Sequence, residues 1–201
     1  MKDKYQYFWK RNLPHVQPEN TPLFVNYSLK VNLSDEIKKR VHAQKVSYKF
    51  DSNFFVYDQI FDKHKSKENY LIIPEIADMV FESILYLQKY GDLHAFTIMP
   101  NHIHLLLSLK SGHSLSYLMQ NHKRFTSRKA NIILNREGKF WNKEYYDHYI
   151  RDDIEFYAIA WYIINNPVSA NLVLHWKQWK YTWISEELSE QIGEYIDVAR
   201  R

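Results

Sequence analysis

Two imidazoles stand two residues apart in Met99-Pro100-Asn101-His102-Ile103-His104-Leu105-Leu106-Leu107. In a strand, side chains alternate faces with a period of two. The spacing therefore turns His102 and His104 to one face, and Ile103, Leu105 and Leu107 to a core on the other. Two neutral imidazoles side by side on a rigid strand can hold a metal ion. So short a motif also recurs by accident, and on the pair alone the favoured reading is two histidines on the wetter face of a half-buried strand. Tyr162 and Asn166, four residues apart, share a helix face. An Asn carbonyl oxygen there could give a third ligand, with a Tyr hydroxyl one turn earlier beside the ion. The plainer reading makes Tyr162 a core aromatic and Asn166 a stop at the helix end before Pro167.

These side chains need a strand, a turn and a late helix to meet. Pro100-Asn101 reads as the turn, between strands over 93–99 and 102–109. Leu23–Lys30 alternates loosely and looks like a first strand. A short helix capped by Ser34 is expected over 34–46. Pro74–Tyr90 is the clearest helix: Pro74 suits its first turn, Ile76, Val80, Phe81, Ile84, Leu85 and Leu87 form an apolar stripe, and Gly91 ends it. A long helix over 114–134 carries Lys123, Arg124, Arg128 and Lys129. Residues 140–150 are aromatic and extended. Asp152 or Asp153 caps a last strong helix through Asn165, stopped by Pro167, and an acidic helix begins at Ser185. This order predicts an α+β fold with helices packed on an antiparallel sheet. One domain is expected over 1–201, with an irregular arm over 1–22. A C-terminal extension over 172–201 would pack its Trp176, Trp179 and Trp183 on that domain.

The chain has 201 residues and no cysteine, which excludes disulfides, thiolate zinc sites and cysteine nucleophiles. It carries no apolar run of about 18 residues and no signal-like N-terminus, so no membrane partner is expected and the cytoplasm is the expected compartment. The net charge of +4 is modest. Aromatics make up 16% of the chain, including 16 Tyr and 6 Trp. Aromatic faces stack on unpaired bases and adjacent cations track phosphates, though a Tyr-rich core would give the same count.

Five segments, in order, resemble the REP-associated tyrosine transposases, within the single-tyrosine HUH endonucleases. They are Arg11-Asn12-Leu13-Pro14-His15, then Ile98 through Leu106, then Gly138-Lys139-Phe140-Trp141, then Tyr146-Asp147-His148-Tyr149-Ile150-Arg151-Asp152, and finally Tyr162-Ile163-Ile164-Asn165-Asn166-Pro167-Val168. The resemblance implies a ferredoxin-like HUH fold with the histidine motif on a central strand. It implies a divalent ion, magnesium or manganese, held by His102 and His104, with Asn166 as the further polar ligand. Tyr162 maps onto the nucleophile, giving His102, His104 and Tyr162 the catalytic roles. The implied substrate is single-stranded or hairpin DNA beside the nucleoid, and the implied assembly is a monomer or a homodimer. Phosphate contacts are expected from Lys123, Arg124, Arg128 and Lys129, which could equally form a solvated helix face, and DNA or active-site support from His148 and Arg151. Two features depart from the family: Asn142 stands where Gln is usual, and Val168-Ser169-Ala170-Asn171 lacks the usual basic and Gly residues. A non-cleaving hairpin-binding protein is the alternative. A histidine-metal hydrolase using water as nucleophile would leave the later segments unexplained.

Overall fold

A computed structural model describes the backbone of residues 5–10, 14–30 and 69–199, and the side chains of 17–30 and 69–193. The expected helix over 34–46 lies outside the described residues. A five-stranded sheet organises the rest. Its strands are β3 (Leu23–Ser28), β4 (Gly91–Ile98), β5 (His102–Leu109), β6 (Tyr146–Tyr149) and β7 (Thr182–Ile184), in the order β6-β3-β5-β4-β7. Every neighbouring pair is antiparallel. The strand carrying the two histidines is thus the central one.

The period-two alternation of β5 sorts the layers. Ile103, Leu105 and Leu107 join Val25 and Tyr27 against two helices, α1 (Pro74–Leu85) and α2 (Leu115–Ile133). Leu106 and Phe24 face the other way, against Ile159, Ala160, Ile163 and Ile164 of α3 (Asp153–Ser169). Leu188 and Ile192 of α4 (Glu186–Ala199) close that second core. Burying each such aliphatic side chain contributes roughly 1.5–3 kcal/mol, so the two apolar layers hold the sheet from both sides. Among the described residues no helix is long and apolar enough to cross a membrane.

Three expectations need correction. The N-terminal arm is not irregular: β1 (Tyr5–Lys10) and β2 (Pro14–Pro18) form an antiparallel pair with Trp9 opposite His15. Aromatic residues favour strands, and the two prolines stand at the ends of β2, where a missing N–H interrupts the ladder least. Residues 140–150 are not one extended element. Trp141 forms an isolated bridge to Leu29, and only Tyr146–Tyr149 joins the sheet. Pro167 does not stop the last helix, which runs on to Ser169 with the proline inside it. Proline removes the one N–H bond that position 167 would make to the Ile163 carbonyl, and the turn closes beyond it, with Ala170 N–H donating to the Asn166 carbonyl at 2.9 Å. Asn166 is therefore within the helix rather than at its end.

Asn171 then ends the segment with φ +57, and Leu172 N–H reaches back to the Pro167 carbonyl. Asn tolerates this left-handed conformation, which glycine usually supplies after a helix. The missing Gly noted in the sequence is thereby accommodated. Gly91 does more than end a helix: a Cβ there would collide with the Ser108 carbonyl oxygen, so glycine lets β4 start flush against β5. The C-terminal extension is likewise structural, since β7 pairs with β4 and Trp179 Nε1 donates to the Ile98 carbonyl at 2.9 Å.

Candidate active site

Cross-strand register places one polar row across the whole sheet. Tyr146 stands opposite Asn26, Asn26 opposite His104, His104 opposite Thr97, and Thr97 opposite Thr182. Directly opposed residues on antiparallel strands share a face, and the adjoining row of Phe24, Leu106 and Ala95 packs under α3. The polar row therefore lies on the α3 side. His102 and His104 are both 0% exposed. They are not on a wet face: α3 covers them.

Their geometry is specific. His102 Nε2 and His104 Nε2 lie 3.0 Å apart. The outer nitrogens are held as well: His102 Nδ1–H donates to Asn101 Oδ1 at 2.6 Å, and Asn26 Nδ2–H donates to His104 Nδ1 at 3.3 Å. Phe24 stacks on the His104 ring at 5.9 Å between centroids. The turn before β5 is itself anchored, because Leu29 N–H donates to the Asn101 carbonyl at 2.8 Å and Met99 N–H to the His102 carbonyl at 2.9 Å.

From the helix above, the Tyr162 ring meets His104 edge-on at 5.4 Å between centroids. The Tyr162 hydroxyl and the Asn166 side-chain oxygen are both buried, and Asn166 is 2% exposed. Four residues along a helix is one turn, so Asn166 follows Tyr162 on the same face. The structure thus brings Tyr162 to the histidine pair and keeps Asn166 on that face of α3.

Two metal bonds of about 2.1 Å at a right angle span about 3.0 Å, so the two Nε2 atoms are spaced as ligands of one divalent ion. Among the described residues no three His, Asp or Glu side chains converge as a metal cage. The donors available on this side of the sheet are the two imidazoles and the buried amide oxygen of Asn166. Such a set leaves coordination positions for other oxygens.

The other expected residues fall into two groups. His148 and Arg151 support α3: His148 Nε2 meets Glu155 Oε1 at 2.8 Å, and the other Glu155 oxygen accepts Arg151 N–H at 2.7 Å. Asp152 caps the helix by accepting Glu155 N–H at 2.8 Å. These contacts fix the helix that carries Tyr162. By contrast, α2 covers the opposite face of the sheet, so its cations are not beside the histidines. Arg124, Arg128 and Lys129 are exposed there. Lys123 instead donates to the carbonyls of Asn142 at 2.6 Å and Lys143 at 3.3 Å. It ties down the loop after Trp141, whose buried indole donates to Thr126 Oγ1 at 2.9 Å.

Sequence reasoning missed Asn26, Glu155 and Gln17. Asn26 was visible as the one amide within the apolar strand Leu23-Phe24-Val25-Asn26-Tyr27. Gln17, 2% exposed, caps α2 by accepting Leu115 N–H at 3.0 Å and donates to the His113 carbonyl at 2.8 Å. No local sequence signal announces a cap supplied from so far along the chain.

Comparison with known proteins agrees with this architecture. Residues 58–166, more than half of the chain, match the family described as Transposase IS200 like. A Haemophilus influenzae protein named as a REP-associated tyrosine transposase is 29% identical over 108 residues, which are 49% of this chain and 61% of that protein. The chain thus spans about three fifths of that relative's length. A solved structure of a REP-associated tyrosine transposase bound to a REP hairpin shares the fold, with a TM-score of 0.54 at 14% identity, over 87% of this chain and 80% of that one. Sequence match and fold together place the protein: the chain belongs to the IS200-like transposase family.

Proposed function

We propose that this chain is a metal-dependent single-stranded DNA endonuclease and strand transferase that acts beside palindromic hairpins. The observation that carries the reading is the Tyr162 ring against His104, above a converging pair of buried imidazoles. The hairpin substrate is drawn from the relatives: one is named as a REP-associated transposase, and another was solved on a REP hairpin.

In this reading His102 and His104 hold a divalent ion, with Asn166 as the amide ligand. When bound, the ion would offset negative charge on the non-bridging oxygens of the scissile phosphate. Tyr162 Oη attacks phosphorus, the bond to the 3′ oxygen breaks, and the DNA 5′ end is left on Tyr162 as a phosphotyrosine. The phenol proton passes to solvent, and the departing 3′ oxygen takes one up as a free hydroxyl. A phenol ionises near pH 10, far below an alkyl alcohol, so it attacks and later leaves more readily. The covalent link preserves the bond energy, and a 3′-hydroxyl can rejoin the strand without an external energy source. Glu155, His148 and Arg151 hold the N-terminal turn of α3, and with it the approach of Tyr162.

The test is a hairpin-flanked single-stranded oligonucleotide incubated with manganese and run on a denaturing gel. A fragment linked to the protein through its 5′ phosphate and a free fragment ending in a 3′-hydroxyl, both lost with chelator, are the expected products. Tight hairpin binding with no cleavage at any metal concentration would instead identify a non-cleaving hairpin-binding protein.

A further inference from the structure

No acidic residue occurs between Glu155 and Glu186, a run of 30 residues that holds Tyr162, Asn166, Lys177 and Lys180. Asp and Glu number 23 in the chain, so this gap leaves one long segment free of repulsion toward a polyanion. Within it, residues 171–180 form the loop from α3 to β7. The loop leaves the helix next to Asn166, where Leu172 N–H donates to the Pro167 carbonyl at 2.9 Å. It ends on β4: Trp179 Nε1 donates to the Ile98 carbonyl at 2.9 Å, and Ile98 N–H to the Tyr181 carbonyl at 3.0 Å. Ile98 stands just before the turn that presents His102. The loop therefore joins the Asn166 turn of the helix to the strand end that leads into the histidines.

Its backbone is tied from within. The Gln178 side-chain oxygen accepts Leu174 N–H at 3.1 Å and His175 N–H at 3.0 Å, and Gln178 N–H donates to the His175 carbonyl at 2.9 Å. Leu174 is 93% exposed, the most of any large apolar side chain among the described residues, and Leu172 is 40% exposed. Trp176 packs partly on the α3 core, with the His175 ring stacked at 5.8 Å and the Lys177 ammonium 5.4 Å from its centroid. A single exposed leucine is ordinary on a protein surface. One held on a tied loop beside an aromatic ring and a cation, in a segment without carboxylates, matches what single-stranded nucleic acid requires: an apolar surface for a base and a charge for a phosphate.

We propose that the 171–180 loop is a platform for unpaired DNA at the active site, where Leu174 packs on the face of a base and Lys177 meets a backbone phosphate. The proposal rests on the hairpin-DNA reading above and assigns the path of the unpaired strand. Every base has an apolar face, so such a contact fixes the strand's position rather than its sequence. A loop already ordered by Gln178 loses little further entropy on binding.

The test measures binding of a hairpin-flanked single-stranded oligonucleotide to the full-length chain in chelator, so that no cleavage intervenes. Fluorescence anisotropy compares wild type with Leu174→Ser, Lys177→Gln and Ile132→Ser. Ile132, 75% exposed on α2, controls for loss of an apolar side chain elsewhere. Leu174→Ser should bind about tenfold more weakly. Lys177→Gln should lower the salt dependence by about one phosphate contact. Ile132→Ser should match wild type. An affinity for Leu174→Ser within about twofold of wild type, an equal loss in Ile132→Ser, or an unchanged salt slope in Lys177→Gln would overturn the platform and leave the strand-transfer reading standing. Self-association abolished by Leu174→Ser, with DNA affinity intact, would assign the patch to a second copy instead. If wild type binds the oligonucleotide but forms no adduct with manganese, the strand-transfer reading fails and these affinities still decide the platform. A wild-type chain that binds no oligonucleotide overturns both.

Discussion

Buried histidines lie on both sides of the sheet, one on helix α2 and two on β5, and the two sets are wired in opposite ways. On the α1–α2 side, His122 is 4% exposed and meets a hydroxyl at each nitrogen: Tyr27 at 2.7 Å and Ser83 at 2.8 Å. A hydroxyl donates or accepts as needed, so this ring is satisfied in either tautomer. Burial pushes its pKa down to about 3, helped by the charge of Lys123. On the α3 side, His102 and His104 point a nitrogen at each other and a tyrosine closes over them. Burial alone therefore does not mark a ligand. In the proposed site, what distinguishes the pair is that each ring aims a nitrogen at the other while its outer nitrogen is held in place.

The comparison breaks most visibly at Tyr162. Tyr162→Phe removes one oxygen and keeps the ring contact with His104, so the fold should stand while covalent adduct formation falls by at least about 10³-fold. Denaturing gels read the loss directly. Next, His104→Ala should weaken manganese binding by about a hundredfold or more, since a ligand matters at least as much as its outer partner. His122→Gln should leave manganese affinity and adduct rate near wild type, measured in the same titration and gel. A His122 variant that lost metal binding would erase the distinction between the two faces.

Stability against pH separates the faces again. Between pH 6.5 and about 3 the unfolded chain protonates His122 while the folded protein does not. Its contribution to stability is complete above pH 6.5 and falls as the pH drops through that window, by up to about 1.4 kcal/mol per pH unit. Urea melts from pH 7 to 4 should therefore be steeper in pH for wild type than for His122→Gln, and equal slopes would contradict the assignment. The smallest effect is expected on α2. Arg124→Ala with Arg128→Ala should lower the salt dependence of oligonucleotide binding by about one phosphate contact per residue that touches DNA. Because these cations lie on the layer away from Tyr162, the single-turnover cleavage rate at saturating DNA should not change.

Much of this was legible from local pattern. Alternation in His102–Leu107 set Ile103, Leu105 and Leu107 in one core and the two histidines on the other face, and i,i+4 spacing put Tyr162 and Asn166 on one helix face. Pattern failed where partners come from afar. Asn26 acts across strands, Gln17 caps a helix from the N-terminal arm, and Lys123 serves carbonyls of the loop after Trp141 rather than standing as one of a basic stripe. It also failed at Pro167, read as a stop, where the helix loses one N–H bond and still runs on to Ser169. Such features depend on which elements pack together, and a single segment does not encode that.

The central claim is that Tyr162 performs the chemistry beside His102 and His104. The most direct measurement is to trap the protein–DNA product formed with manganese, digest it, and map the DNA-bearing peptide by mass spectrometry. The account predicts a nucleotide attached to Tyr162 through its 5′ phosphate. Cleavage with no attached nucleotide, or attachment at another residue, would contradict it.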